Sequence, residues 1–386
     1  MRHRVLMLPA WYPSARYQGE TAWAQEIARA ISTRHDVRVL AYRMSPGDDQ
    51  RNLSLVETDE GGIRTIRARY PGMTGRGLPP VQVAAAMAGV RRLRRDGFEP
   101  DVIHAHVYIA GIAGLALRRQ LGIPLVVTEH YTRVRADDLS PLRKRLATTV
   151  YRSADLLTAP SKDLADHVAD LSQKPVEAVP NAVDTTIFHP PATKAAREPG
   201  APARLLAVGR LHPNKGISYL LRALAQLREE AVRPTVRVLG EGAERSSIES
   251  EIERLQLWDQ VELAGAMNRR SVAEEMRSAD LLVQPSLYEN APVSLSESLS
   301  CGLPAVATDV GGVGEMLDFA SGVVVESADA GAFAAGIRTA LGRLENYDPG
   351  RIAKGASDRY GFDSVSRRWG DIYDSALAGS ARTPKP

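Results

Sequence analysis

The 386-residue sequence predicts an α/β protein built from two doubly wound parallel-sheet domains. Length is the first reason, because a chain of this size exceeds one ordinary hydrophobic core and suits two domains of about 190 residues each. The second is that short apolar runs alternate with longer stretches of helical period in both halves. The third is a proline- and alanine-rich segment without apolar period between the halves, which is typical of an interdomain linker.

The N-terminal domain is predicted to span residues 1–184. Its apolar runs predict parallel strands, with helices between them, over 5–8, 37–41, 102–105, 125–128 and 156–159. The opening run "MRHRVLMLPAWYP" has a basic start but only about five apolar residues before Pro9, so it favours a buried strand over a signal peptide. The segment "TTIFHPPATKAAREPGAPA" predicts the linker over 185–203.

The C-terminal domain is predicted over 204–362, where the alternation of strands and helices starts again. Its strands are expected in "RLLAVGRL", "TVRVLGEG", "QVELAGAM", "DLLVQPS", "LPAVATD" and "GVVVES". Ligands of doubly wound sheets bind beyond the carboxyl ends of the strands, so two such domains facing each other are expected to form a cleft. A last helix over 363–378, which could pack back on the N-terminal domain, precedes a polar tail over 379–386 that is expected to be disordered.

The composition excludes several classes of protein. Apolar residues make up 44% and charged residues 25%, which is ordinary for a folded globular chain and unlike a disordered or fibrous one. The net charge of +3 is small for this length, so no nucleic-acid partner is expected. The single cysteine, Cys301, excludes an internal disulfide framework and fits the cytoplasm, and no histidine or cysteine spacing indicates a metal site. No apolar run approaches the ~20 residues of a membrane helix.

Two basic stretches bear on membrane association. "RRLRRDG" at 91–97 and "PLRKRLATTVYR" at 141–152 put several cations on short helices, as in proteins that rest on an anionic membrane surface. The same residues also suit solvated helix faces, which the sequence favours slightly. Peripheral association with the inner face of a membrane is therefore kept as an expectation beside that simpler interpretation.

The segment "VGRLHPNKGISYLLRAL" has the features of an anion site. A strand ends at Val208, Arg210 and Lys215 flank a turn, and Gly216 opens a helix whose free amides suit a diphosphate. The spacing is not that of a P-loop. The alternative is that the two cations are solvated loop residues. At Gly240, "LGEGAER" fits a tight turn as well as a nucleotide contact.

The segment "LYENAPVSLSESLSCGLPAVATDVGG", at 287–312, carries two carboxylates eight positions apart. Glu289 lies in a loop before a predicted helix, and Glu297 lies on the second turn of that helix. Carboxylates accept hydrogen bonds from vicinal sugar hydroxyls, which makes both candidates for sugar binding. From spacing alone the simpler interpretation, with Glu289 capping the helix and Glu297 facing solvent, is favoured.

Taken together, these segments resemble the retaining glycosyltransferases of family 4, with their E-x7-E signature and their upstream arginine and lysine loop. The resemblance implies a GT-B architecture, in which two Rossmann-like domains face each other across a cleft. It further implies that Arg210 and Lys215 neutralise the diphosphate leaving group of a nucleotide-sugar donor. Glu289 would hold the donor sugar and Glu297 the ribose. The helix start that would lie beside the donor comprises Asn290, Ala291, Pro292 and Val293.

The resemblance extends to further positions. The family's base-binding stretch corresponds to Ala266 and Met267, and these residues do not indicate which base the donor carries. In "DVIHAHVYIAG", His106 would lie near the reacting sugar in an N-terminal domain that binds the acceptor, whereas His104 is expected to be structural. Gly19 matches a glycine loop that touches the diphosphate, although the usual second glycine is absent and the role of Glu20 stays open.

In "TEH", Glu129 and His130 are candidates for acceptor contacts, at even odds with a structural role. The implied reaction moves a sugar to an unknown acceptor hydroxyl with retention, in polysaccharide, glycolipid or small-glycoside synthesis. No cofactor is expected, and no metal, since no D-x-D pair occurs. The alternatives are a sugar-nucleotide 2-epimerase, a pyridoxal-phosphate-dependent phosphorylase and a non-catalytic sugar-nucleotide sensor.

Overall fold

The computed structural model describes residues 1–13, 22–45, 53–71, 78–192, 198 and 200–381. The chain divides into two compact units. Unit 1 comprises Met1–Ala182 together with Phe362–Pro386, and unit 2 comprises Val183–Gly361. Each unit is described below by itself.

Unit 1 is built on a sheet whose strand order, within the described residues, is β3-β4-β2-β1-β5-β6-β7-β8. Its strands are β1 (Arg4–Pro9), β2 (Asp36–Ser45), β3 (Ser54–Asp59), β4 (Arg64–Pro71), β5 (Val102–His106), β6 (Leu125–Thr128), β7 (Leu156–Ala159) and β8 (Val176–Ala178). All neighbours are parallel except β3 and β4, which form an antiparallel hairpin. The register pairs Pro9 with His106 and His106 with Thr128, so β1, β5 and β6 end at the same level.

Helices cover both faces of this sheet. They are α1 (Ala22–Ser32), α2 (Leu78–Arg95), α3 (Val107–Leu121), α4 (Thr132–Arg135), α5 (Pro141–Ser153) and α6 (Lys162–Ser172). Alternate residues of β1 enter two separate cores, Leu6 and Leu8 on one face, Val5 and Met7 on the other. A strand buried on both sides must be apolar throughout, which explains the short unbroken runs in the sequence.

Unit 2 repeats the arrangement with the strand order β11-β10-β9-β12-β13-β14 among its described residues, all parallel. Its strands are β9 (Arg204–Val208), β10 (Thr235–Leu239), β11 (Val261–Gly265), β12 (Leu281–Gln284), β13 (Ala305–Thr308) and β14 (Gly322–Val325). Its helices are α7 (Ile217–Glu229), α8 (Arg245–Arg254), α9 (Arg269–Ser278), α10 (Val293–Ser300), α11 (Ala330–Leu341) and α12 (Pro349–Tyr360). Two parallel-sheet α/β domains are therefore present, and the predicted fold class is confirmed in that respect.

The last helix, α13 (Phe362–Ala381), belongs to unit 1. It packs on α1 and the sheet through the buried side chains of Trp369 and Tyr373. The helix extends three residues beyond the predicted 363–378, into the stretch assigned to a disordered tail. Residues 382–386 lie outside the described part of the chain.

The segment 185–203, predicted as a linker, begins as part of unit 2. Phe188 is 1% exposed and packs in a core that includes Leu206 and Leu282. Residues 193–197 and 199 lie outside the described residues. Across the residues that the structure does describe, no helix combines the length and apolar character needed to span a bilayer.

Candidate active site

In unit 2 the turns that follow β9 and β10 approach each other closely. The N–H of Leu211 donates to the carbonyl of Glu241 at 3.0 Å. A Cβ at Gly240 would lie 1.8 Å from the carbonyl oxygen of Gly209, so no side chain fits at that position. The tight turn accounts for this glycine by packing. Its contact with a nucleotide stays a prediction.

The predicted anion loop lies at the carboxyl edge of the same sheet. Arg210 follows β9 and is exposed. Lys215 closes a short 3₁₀ turn. Gly216 has φ 63°, and a Cβ there would lie 2.0 Å from the carbonyl oxygen of Pro285, so no side chain fits at that position. The N–H of Leu287 donates to the carbonyl of Asn214 at 2.7 Å, which ties this loop to the one after β12. Lys215 is thereby fixed beside the second motif.

Glu289 lies buried in the loop after β12 and forms an ion pair with Lys215 through Oε1. Ser286 donates its hydroxyl to the same oxygen at 3.0 Å. Pro292 is the N-cap residue of α10 and forms no side-chain capping hydrogen bond. Glu289 lies three residues before it, so the interpretation of Glu289 as the helix cap was wrong. The carboxylate instead meets the lysine of the other motif, which joins the two sequence motifs in one place.

Gly311 and Gly312, which follow β13, contact the backbone of the loop that carries Glu289. Gly311 has φ 57°, and a Cβ there would lie 1.8 Å from the carbonyl oxygen of Glu289. The N–H of Gly312 donates to the carbonyl of Asn290 at 2.8 Å. Close backbone contact of this kind requires glycine and leaves the loop little freedom. Asn290 and Pro292 are buried, whereas Ala291 and Val293 are partly exposed at the start of α10.

Glu297 does not face solvent, contrary to the simpler interpretation. Its side chain is 13% exposed, and its Oε1 lies 3.4 Å from a guanidinium nitrogen of Arg269. Arg269 stacks over the ring of Phe188 at 5.2 Å. The sequence did not single out Arg269, and only its position two residues after Met267, in the predicted base-binding stretch, could have indicated it. Met267 itself is partly buried against the core of unit 2.

In unit 1 two histidines meet where β5 and β6 end. Nδ1 of His106 lies 3.1 Å from Nε2 of His130, and Trp23 stacks on His130 with ring centroids 3.8 Å apart. Burial lowers the pKa of His106 to about 3, so its imidazole is neutral at physiological pH. His104 bonds Tyr373 and Thr128 inside the protein, at 2.8 and 2.7 Å, which fits the structural role expected for it.

Glu129 is 1% exposed and points into unit 1. Its carboxylate accepts hydrogen bonds from three backbone N–H groups and from the hydroxyl of Tyr151. Burial raises its pKa, and the four hydrogen bonds oppose that effect. Both carboxylate oxygens are thus engaged within unit 1, which favours the structural role of the two predicted for Glu129. Gly19 and Glu20 lie outside the described residues.

Two family profiles cover most of the chain. The Glycosyltransferase Family 4 profile matches residues 18–187, and the profile Glycosyl transferases group 1 matches residues 191–347. A D-inositol 3-phosphate glycosyltransferase from Thermobispora bispora is 31% identical over 95% of this chain and 91% of its own length. The chain belongs to glycosyltransferase family 4. The resemblance predicted from the motifs is thus confirmed, and the protein is a glycosyltransferase.

Other relatives of this glycosyltransferase differ in name. A glycogen synthase from Mycobacterium tuberculosis is 26% identical over 99% of this chain and 97% of its own length. The crystal structure of Anabaena HepE in complex with UDP and glucose superposes with a TM-score of 0.76, at 18% identity, over 97% of this chain and 100% of that one. At that identity the likeness establishes the fold, which is GT-B.

Proposed function

We propose that this glycosyltransferase moves a sugar from a nucleotide-diphosphate sugar to an acceptor hydroxyl, with retention of configuration and without a metal ion. The observation that carries the proposal is the ion pair between Lys215 and Glu289. It brings a cation suited to a diphosphate next to a carboxylate suited to sugar hydroxyls. A nucleotide sugar matches that pair, because it carries a diphosphate for Lys215 and sugar hydroxyls for Glu289 in one molecule. The Anabaena HepE structure, with UDP and glucose bound, supports the same class of donor.

The donor competes for these side chains when it binds. A diphosphate oxygen takes the ammonium of Lys215, which releases Glu289 to accept hydrogen bonds from the sugar. Arg210, exposed on the same loop, adds a second positive charge. Together the two cations stabilise the negative charge that develops on the departing diphosphate, the function that a divalent ion serves in other transferases. The amides at the start of α10, from Asn290, Ala291 and Val293, complete the anion site.

Glu297 is assigned to the ribose, with Arg269 beside it. The stretch around Met267 is assigned to the base. In unit 1 the neutral imidazole of His106 can donate or accept a hydrogen bond at a sugar hydroxyl, because Nδ1 is engaged by His130 and Nε2 has no hydrogen-bond partner among the described residues. For the chemical step we favour attack by the acceptor hydroxyl on the face that the diphosphate leaves, with a phosphate oxygen taking the proton.

Acceptor and location stay predictions. The relatives are named for inositol phosphate and for glycogen, so their names do not agree on an acceptor. Cell-envelope polysaccharide, glycolipid and small glycosides remain the proposed range, in the cytoplasm. On the basic helices, Arg92 forms an ion pair with Glu57 and Lys144 forms one with Asp137. These carboxylates offset part of the positive charge that would attract an anionic membrane surface.

The experiment is a turnover assay with a panel of nucleotide sugars and candidate acceptors, with and without EDTA, followed by NMR of the product. Transfer that persists in EDTA and yields the donor's anomeric configuration supports the proposal. Inverted product, or activity that EDTA abolishes, refutes the finer assignment. Conversion of donor to its epimer without acceptor identifies the 2-epimerase alternative.

A further inference from the structure

The turn between β5 and α3 has an unfavourable backbone conformation. Val107 follows His106 directly and has φ 71°, in the left-handed region that β-branched residues avoid. Its side chain is fully buried in the core of unit 1, so the conformation is not a feature of a loose loop. Such a conformation persists only where surrounding contacts hold it. Something must therefore fix the peptide that follows His106.

The carboxylate of Glu129 makes that contact. Its Oε2 accepts the N–H of Tyr108, the residue directly after Val107, at 3.0 Å. Its Oε1 accepts the N–H groups of His130 and Tyr131 at 2.9 and 2.7 Å. One side chain thus binds both the turn after β5 and the turn after β6. These are the turns that carry the two histidines.

We infer that Glu129 is a positioning residue, whose carboxylate clamps the two turns and thereby holds His106 and His130 in register. The inference rests on the proposed function in one respect, the role given to His106. It replaces the expectation that Glu129 contacts the acceptor. Tyr151, on α5, donates to Oε2 at 2.6 Å and keeps the carboxylate aimed at the turns. The clamp needs a group that accepts on both oxygens.

An amide cannot fulfil this role. In Glu129→Gln the amide oxygen can still accept from His130 and Tyr131, but the NH2 group then faces the N–H of Tyr108, and two donors cannot bond. The hydroxyl of Tyr151 can rotate to accept, so Tyr108 is the one group left without its acceptor. The substitution therefore acts on the strained turn next to His106 with almost no change in volume.

Asp155 provides a matched control in the same unit. Its carboxylate accepts the N–H of Leu125, at 2.8 Å, and two bonds from Arg118, both 2.7 Å. It likewise bridges two segments, but at the start of β6 and β7, the amino edge of the sheet. Asp155→Asn thus disturbs a comparable carboxylate away from the histidines.

The experiment compares full-length wild type, Glu129→Gln and Asp155→Asn by steady-state kinetics, donor titration and ¹⁵N NMR of histidine-labelled protein. For Glu129→Gln we expect kcat about 10- to 100-fold lower, as for a misplacement near 1 Å. The donor's dissociation constant should stay unchanged, and the imidazole shifts of His106 and His130 should move. For Asp155→Asn we expect wild-type kcat and unchanged imidazole shifts.

Three results overturn the inference: wild-type kcat in Glu129→Gln, an equal loss in Asp155→Asn, or unmoved histidine shifts. If Glu129→Gln does not fold, Glu129→Asp is measured in its place, since a carboxylate shorter by one methylene cannot reach both turns and should show the same losses. Should wild type transfer no sugar while the histidine shifts still move in the variant, the proposed function fails and the clamp stands.

Discussion

Replacing Gly311 with alanine tests how the donor loop is supported. The new Cβ would lie 1.8 Å from the carbonyl oxygen of Glu289, whereas such contacts do not occur below 3.0 Å, so one backbone must move by about 1.2 Å. A displacement of that size at a catalytic group costs about 10²-fold in rate. The left-handed φ of 57° adds about 1 to 2 kcal/mol of backbone strain in an L-residue. We therefore expect kcat/KM for transfer to fall about 10²-fold.

Gly61→Ala separates strain from displacement. Gly61 has a similar φ of 68° but nothing within 4 Å of its would-be Cβ, so its substitution adds the strain alone. Both variants should melt a few degrees below wild type, and only Gly311→Ala should lose activity. Calorimetry and the transfer assay measure the two effects. The reasoning is refuted if Gly311→Ala keeps kcat/KM within about three-fold of wild type, or if Gly61→Ala loses as much.

Three more predictions concern stability and surface charge. Burial, and then the charge of His3, lower the pKa of His35 to about 4, so the unfolded chain binds more protons than the folded one between about pH 6.5 and 4. The melting temperature should therefore fall from pH 7 to pH 5, and less so in His35→Gln; equal slopes would contradict this. Trp369→Ala should cost about 3 to 5 kcal/mol in urea unfolding, because the fully buried ring stacks on Tyr373; a loss below about 1 kcal/mol would contradict it. If the basic helices rest on an anionic membrane surface, replacing Arg91 and Arg95 with glutamine should reduce sedimentation with anionic vesicles, and unchanged partitioning would leave the solvated-face interpretation.

The sequence predicted the fold class because parallel strands buried on both faces produce unbroken apolar runs. β1, β2, β5, β6 and β7 lie where those runs predicted strands. The β3–β4 hairpin was missed, since its residues mix charged and apolar side chains and its β3 is only partly buried at the sheet edge. Unit 2 starts at Val183, two residues before the linker predicted at 185–203, and the burial of Phe188 in it depends on tertiary packing that local composition does not carry.

The candidate site was predicted in part. The spacing of the motifs pointed to Lys215 and Glu289 separately, but their ion pair follows only from two loops meeting at one sheet edge. Arg269 and the clamp by Glu129 were not predicted, because Arg269 pairs with Glu297, 28 residues later, and the clamp depends on Tyr108, 21 residues before Glu129. The strain at Val107 has no sequence signal, since valine is ordinarily a strand residue.

The most direct test of the central claim, a diphosphate held by Lys215, is calorimetric titration of nucleoside diphosphates. The tightest binder among UDP, ADP, GDP and TDP is titrated into wild type, Lys215→Ala and Arg237→Ala, with its parent nucleoside in parallel. Arg237 pairs with Glu262 on the surface of the same unit and serves as the control. A charged hydrogen bond contributes about 1.5 to 3 kcal/mol, so Lys215→Ala should bind the diphosphate about 10- to 150-fold more weakly and the nucleoside equally. Unchanged diphosphate affinity, or an equal loss in Arg237→Ala, would contradict the account.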